Sequence, residues 1–499
     1  MIRTHIGLQF AKQILDFAHY LVTCPYGIFP NVLKIAKVTP LYKKNETYLF
    51  DNYRPVSVLS SVSKVYERIM HDQIYCHFNN LDLLYNNQYG LRANHSTAYA
   101  ILELTDKIIN EMDKNNIPIN IFIDLSKAFD TLDHRILLHK MKYYGFHNKS
   151  LELMKCYLSN RFQYVEFDNV QSDLVEIKCG VPQGSILGPL LFIIYLNDLP
   201  NVTKYFKPII YADDTTLFAN LNNSNLIPSQ CKINDELQLV NNWFKLNKLS
   251  LNANKTKAML FHTPQRHVEN PDIFIDGRKI DFVNEFNFLG VMVDKNLRWK
   301  SHIALLSKKI SKTIGILSRL KNIIPTEALL NIYNALILSY LNYGSIIWGW
   351  QSQNLFKLQK KAVRIITKSK YNAHTSILFK QLNTLKMQDL CALHDYKFCY
   401  KVIHDLTPKY FSYNLNLRDN SHEHNTRHAS DLQLPAVRHE FARNGIKYRL
   451  PLLLNNMPNH LKDKIFTHSF FGIKFYFKRI TIQNYDTVCR NLNCYICQN

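Results

Sequence analysis

The chain has 499 residues, too many for one ordinary core, so two or three domains are expected. Hydrophobic residues make up 46% and charged residues 20%, which excludes an intrinsically disordered chain. Lys and Arg number 61 against 39 Asp and Glu, and the resulting net charge of +22 argues for a polyanionic partner, nucleic acid or an acidic membrane surface. Tyr and Phe occur 29 times each, and those not in the core could stack on bases.

No apolar run reaches the roughly 18 residues needed to span a membrane. The longest, Ile186 to Leu196, contains Gly188 and Pro189 and reads as a buried helix. The N-terminus carries no convincing signal peptide. Ten scattered cysteines suit a reducing intracellular compartment. Cys489, Cys494 and Cys497 could belong to a zinc knuckle. No fourth ligand follows Cys497, and His468 is the nearest upstream histidine, so free thiols in a loose tail are the favoured reading.

In chain order, the second half of Val32 to Lys44 reads as a basic strand ending in a Lys-rich loop. Asn52 and Pro55 bracket a turn. A helix is expected from Ser61, with Val62, Val65, Ile69 and Ile74 as its apolar stripe. Gln88 to Thr97 is a polar, basic loop, and Ser96 or Thr97 can cap a helix carrying Ala100, Leu104 and Ile108. Pro118 to Leu125 is an apolar strand of the kind buried on both faces, with Asp124 where it emerges. A helix is expected from about Ser126, bearing Phe129, Leu132 and Ile136 and ending near Gly145. Tyr164 to Phe167 and Leu174 to Lys178 read as strands. Gly180 to Ser185 is a tight loop whose small residues let a flat ligand or a backbone approach. After an apolar helix come two short strands around Tyr211-Ala212-Asp213-Asp214, which read as a β-hairpin with two carboxylates at its tip. Ile233 to Asn247 is amphipathic, with Leu237, Val240 and Phe244 inward. Leu249 to Lys257 is a turn into the strand Ala258 to Phe261, and Phe286 to Asp294 is a strand and turn. Beyond 300 the chain turns helical and Lys-rich, over Ser301 to Lys321, Thr326 to Leu341 and Asn354 to Lys368, without a clean linker or internal repeat.

Adjacent carboxylates at a strand end repel unless a positive charge lies between them. Hard divalent ions prefer carboxylate oxygens. If the strand ending at Asp124 pairs with the hairpin, three carboxylates converge, as in a two-metal site for phosphoryl transfer. A solvated Asp-Asp turn is the competing reading. Asp130 and Asp133 are assigned to a solvated helix face.

Six segments in order resemble the reverse transcriptases of non-LTR retrotransposons of the jockey kind. They are Asn52-Tyr53-Arg54-Pro55, Gln88 to Arg92, Phe122-Ile123-Asp124 with Phe129-Asp130, Gly180 to Pro189, Tyr211 to Asp214, and Phe288-Leu289-Gly290. The resemblance covers about residues 30 to 300. It implies an α+β right-hand polymerase with an antiparallel palm sheet and a helical, basic C-terminal region. Fingers would occupy 1–115, palm 116–295 with a finger insertion at about 146–179, thumb 296–370, and a helical region of unassigned role 371–499. It further implies that Asp124 and Asp213 bind two Mg²⁺ ions, with Asp214 in support, and that Lys255 protonates the pyrophosphate leaving group, with Lys257 close enough to compete for that role. Phe129 would exclude a ribose 2′-OH, or else be a core residue of its helix. Gln183 and Gly184 would lie against the template base and incoming nucleotide, and Arg92 would hold the triphosphate. Arg54 and Lys43 would touch template or phosphate, or stand in solvent. The implied partners are an RNA template, a DNA primer or target and deoxynucleoside triphosphates, with no membrane, inside the cell in nucleus and cytoplasm.

Complete elements of this kind carry an endonuclease ahead of the polymerase, and here Met1 lies just upstream of the finger motifs, so a truncated copy is expected. RNA-directed DNA polymerase activity is the leading expectation. A catalytically inactive nucleic-acid-binding remnant and a two-metal nuclease are the alternatives.

Overall fold

The computed structural model describes residues 28–43, 46–126, 128–221, 226–412, 431–458, 461–462, 464 and 469–485. His468 and the three C-terminal cysteines lie outside the described residues.

The chain begins with β1 (Ile35–Tyr42) and β2 (Tyr53–Val58), followed by α1 (Ser61–Asn80) and α2 (Thr97–Asp113). Next come β3 (Ile117–Ile123), α3 (His134–Tyr143), α4 (Asn148–Leu158), β4 (Arg161–Phe167), β5 (Val175–Ile177) and α5 (Gly188–Leu196). The hairpin β6 (Lys207–Tyr211) and β7 (Asp214–Leu221) leads to α6 (Leu226–Leu246), β8 (Lys257–Leu260), β9 (Asp281–Phe282), β10 (Glu285–Phe288) and β11 (Val291–Asp294). The remainder is mostly helical, including α7 (Lys300–Leu320), α8 (Thr326–Tyr333), α9 (Gln353–Ile366), α10 (Met387–Ile403), α11 (Ile446–Asn455) and α12 (Phe470–Gln483).

One sheet runs in the order β9-β8-β3-β7-β6; β8, β3, β7 and β6 pair antiparallel, and only the short edge strand β9 pairs parallel to β8. β3 is its centre and every residue of it is buried. Alternation explains why: Ile117, Ile119, Ile121 and Ile123 enter one core with α1, α3, α5 and α6. Phe122 points the other way, into a second core shared with α2 and the helices through Tyr485. A second five-stranded sheet includes β2, β1 and β4, with β5 on β4. Among the described residues no helix is long and apolar enough to cross a membrane.

Four local expectations are corrected. Pro55 lies inside β2 opposite Pro40, and the turn sits at Phe50–Asn52 instead. An edge strand tolerates the missing donor. On α1 only Ile74 of the expected stripe is buried; Val62 is exposed, and the inward face is Ser63, Tyr66, Glu67, Met70, Ile74 and Phe78. A hydrophobicity pattern cannot register Glu67, which is buried because it accepts Ile186 N–H at 2.7 Å and Tyr157 Oη–H at 3.0 Å. The helix expected from Ser126 starts at His134. Leu125 and Ser126 pair with Leu251 and Ser250, which keeps the chain extended past Asp124. Phe129 therefore lies in a turn. Finally, Asp133 is not on a helix face but caps α3, accepting from Arg135 N and Ile136 N, and Asp130 lies in the turn before it.

Candidate active site

Register brings the carboxylates together. Ile123 on β3 pairs with Thr215 on β7, so Asp124, one step on, faces Asp214 across the ladder. Tyr211 pairs with Asp214, which leaves Ala212 and Asp213 as a two-residue turn. Such hairpin turns need positive φ at their first central residue, and Ala212 supplies φ 53 without being glycine. An L-residue held there costs about 1–2 kcal/mol, so neighbours must hold the turn.

They do so from behind. Tyr89 N–H donates to Ile210 O at 2.7 Å and Ile210 N–H to Asn87 O at 3.0 Å, adding Asn87 to Tyr89 alongside β6. Gln88, fully enclosed, accepts Gly90 N–H at 2.9 Å and Ala212 N–H at 3.3 Å on its Oε1. Gly90 has no room for a side chain: a Cβ there would fall onto the backbone nitrogen of Ala212. Glu103 of α2 anchors this layer, accepting from Tyr89 Oη, Asn87 Nδ2 and Lys107 Nζ. Burial pushes the Glu103 carboxyl above its ordinary range, opposed by Lys107 and Tyr89.

Asp213 and Asp214 open to solvent and Asp124 is half-buried. Asp214 is nevertheless pushed up to about 6, first by the protein packed around its carboxyl, then by the charges of Asp213 and Asp124. The site therefore holds more negative charge than it neutralises. Asn252 N–H donates to Asp124 O at 2.9 Å and starts the turn that carries Lys255. Lys255 Nζ stands 3.5 Å from Asp124 Oδ2, whereas Lys257 is turned to Asp281 at 2.7 Å. Among the described residues no group of three or more His, Cys, Asp or Glu side chains is gathered at metal-binding geometry. The three aspartates are neighbours through register and charge, with rotamers not closed into a cage. Their chemistry, all carboxylate oxygen with an unbalanced charge, fits a hard divalent ion.

The Gly180–Ser185 loop lies between the turn that contains Phe129 and strand β2. Val181 N–H donates to Phe129 O at 2.9 Å, and a Cβ on Gly180, at φ 78, would meet Asp130 O at 2.6 Å. Gln183 donates through Nε2 to Asp130 Oδ1 at 2.8 Å, and its carbonyl accepts Ser57 N–H at 2.8 Å. Gly184, at φ 140, packs on the carbonyl of Ser57 with no space for a Cβ. Phe129 is half-buried with its ring 4.5 Å from that of Phe192. Arg92 turns inward and donates from Nη1 to Tyr85 O at 2.7 Å, and burial lowers its pKa. Lys43 and Arg54 are exposed on the β1–β2 hairpin and make no ion pair among the described residues. The segment Phe288-Leu289-Gly290 forms the β10–β11 turn, where Tyr343 Oη donates to Leu289 O.

Glu67 and Glu103 are positioning groups absent from the sequence motifs, whereas Gln88, Gly90 and Asp130 lie in those motifs without a positioning role being expected of them. A signal existed for Glu103: an acid among Tyr99, Ala100 and Leu104 on an apolar helix face, with Lys107 one turn on.

A family model described as reverse transcriptase (RNA-dependent DNA polymerase) matches residues 42–293, half of the chain. The probable RNA-directed DNA polymerase from transposon BS of Drosophila melanogaster is 28% identical over 391 residues, which is 74% of this chain and 42% of that protein. The RNA-directed DNA polymerase from mobile element jockey of the same species is 25% identical over 378 residues, 73% of this chain and 41% of that protein. The chain thus spans about two fifths of the length of these curated relatives. Among solved structures, telomerase from Candida albicans in complex with a fragment of telomeric RNA aligns at a TM-score of 0.39 and 13% identity, over 71% of this chain and 66% of that one. With the family's segments in order and its aspartates brought into register on one antiparallel sheet, the chain belongs to the reverse transcriptase family.

Proposed function

We propose that the chain is the RNA-directed DNA polymerase of a non-LTR retrotransposon, extending a DNA 3′-OH on an RNA template with deoxynucleoside triphosphates. The observation that carries this is the register that sets Asp124 against Asp214 beside the Ala212-Asp213 turn. Asp124 and Asp213 would hold two Mg²⁺ ions, with Asp214 adding negative charge behind them. Such ions, when bound, supply an activated 3′-hydroxyl and neutralise charge on the phosphate and its leaving group.

The protein's own groups do the rest. Lys255, kept beside Asp124, gives a proton to the departing pyrophosphate oxygen. Phe129, fixed on Phe192, blocks the space a ribose 2′-OH needs. Gln183 and Gly184, pinned between Asp130 and Ser57, form a flat floor for the nucleotide pair. Arg92 would have to leave the Tyr85 carbonyl to reach a triphosphate, where guanidinium pairs phosphate oxygens in fixed geometry. Lys43 and Arg54 line the outer path of the template. Residues 1–115 would serve as fingers, 116–295 as palm and 296–370 as thumb.

The test is primer extension on an RNA template with Mg²⁺, supplied with dNTPs or rNTPs. Wild type should extend with dNTPs, Asp213→Ala should not, and Phe129→Ala should gain rNTP incorporation. Extension no greater than that of Asp213→Ala overturns the proposal.

A further inference from the structure

Helix α12 packs on α10, and its C-terminal end also meets the helix Thr375–Gln381, where Lys380 Nζ donates to Gln483 O at 3.1 Å. Ile473 and Phe477 are buried, Tyr396 and Phe477 rings lie 5.0 Å apart, and Tyr400 and Phe470 rings 5.7 Å apart. The opposite face carries Phe471, Lys474, Phe475 and Lys478, spaced three and four residues apart and hence one stripe. Both phenylalanines are 69% exposed, unusual for rings with an apolar core one helix turn away. Beside this stripe Lys397 and Lys401 of α10 each hold an ammonium 5.3 Å from the Phe470 ring. Among the described residues none of these four lysines makes an ion pair; Asp395, the acid nearest in the α10 sequence, is taken by Arg449 at 2.7 Å. Lys474 and Lys401 each depress the pKa of Lys397, and Lys474 that of Lys478, although burial is the larger cause in both. Four cations that repel one another and lack acids form a site for a polyanion.

The placement of rings and charges points to the kind of polyanion. Phe471 and Phe475 form one i,i+4 row, and Lys474 and Lys478 form the row beside it. A single strand offers its unstacked bases and its phosphates side by side in the same way, so aromatic rings can take bases while lysines take phosphates. A duplex hides its bases and would leave the rings unused.

We propose that the α10–α12 face is a single-stranded RNA-binding surface separate from the polymerase centre, with Phe471 and Phe475 stacking on bases and Lys397, Lys401, Lys474 and Lys478 on the backbone. The choice of RNA rests on the proposed function, in which the single-stranded template is RNA. Its binding is sequence-tolerant, and it holds template beyond the stretch being copied.

The test uses the full chain, an unstructured single-stranded RNA oligonucleotide, the same RNA as a duplex, and phosphatidylserine vesicles. Phe471→Ala/Phe475→Ala should weaken single-strand binding about tenfold. Lys474→Ala/Lys478→Ala should lower the salt slope of log K by about 1.4. A charge-matched pair elsewhere, Lys204→Ala/Lys232→Ala, should leave single-strand binding at the wild-type level. All the altered side chains project from surfaces, so circular dichroism should show unchanged folding. Extension on a short primer-template should match wild type. Single-strand binding unaffected by the phenylalanine pair overturns the proposal, as does an equal loss for duplex RNA or a loss confined to vesicles. Absence of extension in every protein, wild type included, would instead sink the polymerase assignment and leave this binding result standing.

Discussion

The side-chain oxygen of Gln88 accepts the backbone N–H of Ala212 at 3.3 Å, joining a buried residue of the loop before α2 to the turn that presents Asp213. Gly90 closes the same contact by the absence of a side chain. A left-handed alanine at the tip of the hairpin is held by these two residues rather than by its own preference.

Gln88→Leu keeps the volume but removes the acceptor, stranding two backbone N–H groups at a cost of about 1–3 kcal/mol each. Gly90→Ala forces the turn itself to move, and a displacement of that kind can cost about a hundredfold in rate. Extension assays with thermal melts separate the two. Gly90→Ala should lose more activity than stability, and a variant with wild-type extension would refute the bracing role.

The proton on Asp214 should compete with magnesium. Its carboxyl titrates at about 6 in the fold against an ordinary 3.8, so the metal-free fold loses stability as pH rises from about 4 to about 6 and levels off above. Asp214→Asn removes that decline. Mg²⁺ should raise the melting temperature more at pH 7.5 than at pH 5, and Asp124→Asn or Asp213→Asn should abolish the increment. Equal Mg²⁺ shifts in all three proteins would show that the ion binds elsewhere.

Asn120 sits in the middle of β3, fully buried on the side facing Phe218 and Met259, and neither amide atom has a hydrogen-bond partner among the described residues. An unpaired buried amide destabilises by about 1–3 kcal/mol. Asn120→Leu, similar in size, should therefore raise stability by that order in denaturant unfolding. A destabilised variant would mean that the amide is satisfied in solution.

The C-terminal helices complete the core around α2. Asp106 of that helix, buried, accepts Tyr410 Oη–H at 2.7 Å and Lys447 N–H at 3.3 Å, with Asn110 its third donor at 3.2 Å. Tyr410→Phe should cost about 1–3 kcal/mol. Ending the chain at residue 370 removes two of the three donors and uncovers the apolar surface that Phe398 and Phe411 fill between α2 and α10. That fragment should be insoluble or lack a cooperative melt, and a well-folded fragment would contradict a shared core.

The elements nearest the chemistry were legible in the chain because their signals are local. The isoleucine-rich β3, the Ser96 cap of α2, the glycine-flanked loop at Gly180 and the hairpin at Asp213 all follow from periodicity, capping and turn preference. The start of α3 was misplaced because two distant segments compete for the chain after Asp124: the pairing of Leu125 and Ser126 with Leu251 and Ser250 keeps it extended. The buried face of α1 was misjudged because Glu67 is an internal ligand for backbone and tyrosine, invisible to a scale that counts only apolar residues.

Sequence alone thus determined the order of the motifs, the family resemblance and the three aspartates, since each is a short pattern of residue types. Only the tertiary structure decided that Asp124 faces Asp214, that Lys255 rather than Lys257 attends Asp124, and that Gln88 and Gly90 hold the turn. Strand register and close backbone approach join residues from 90 positions apart, as Asp124 and Asp214 are, to 124 apart, as Gln88 and Ala212 are. No local preference encodes such contacts; they form when two cores pack on the two faces of one central strand.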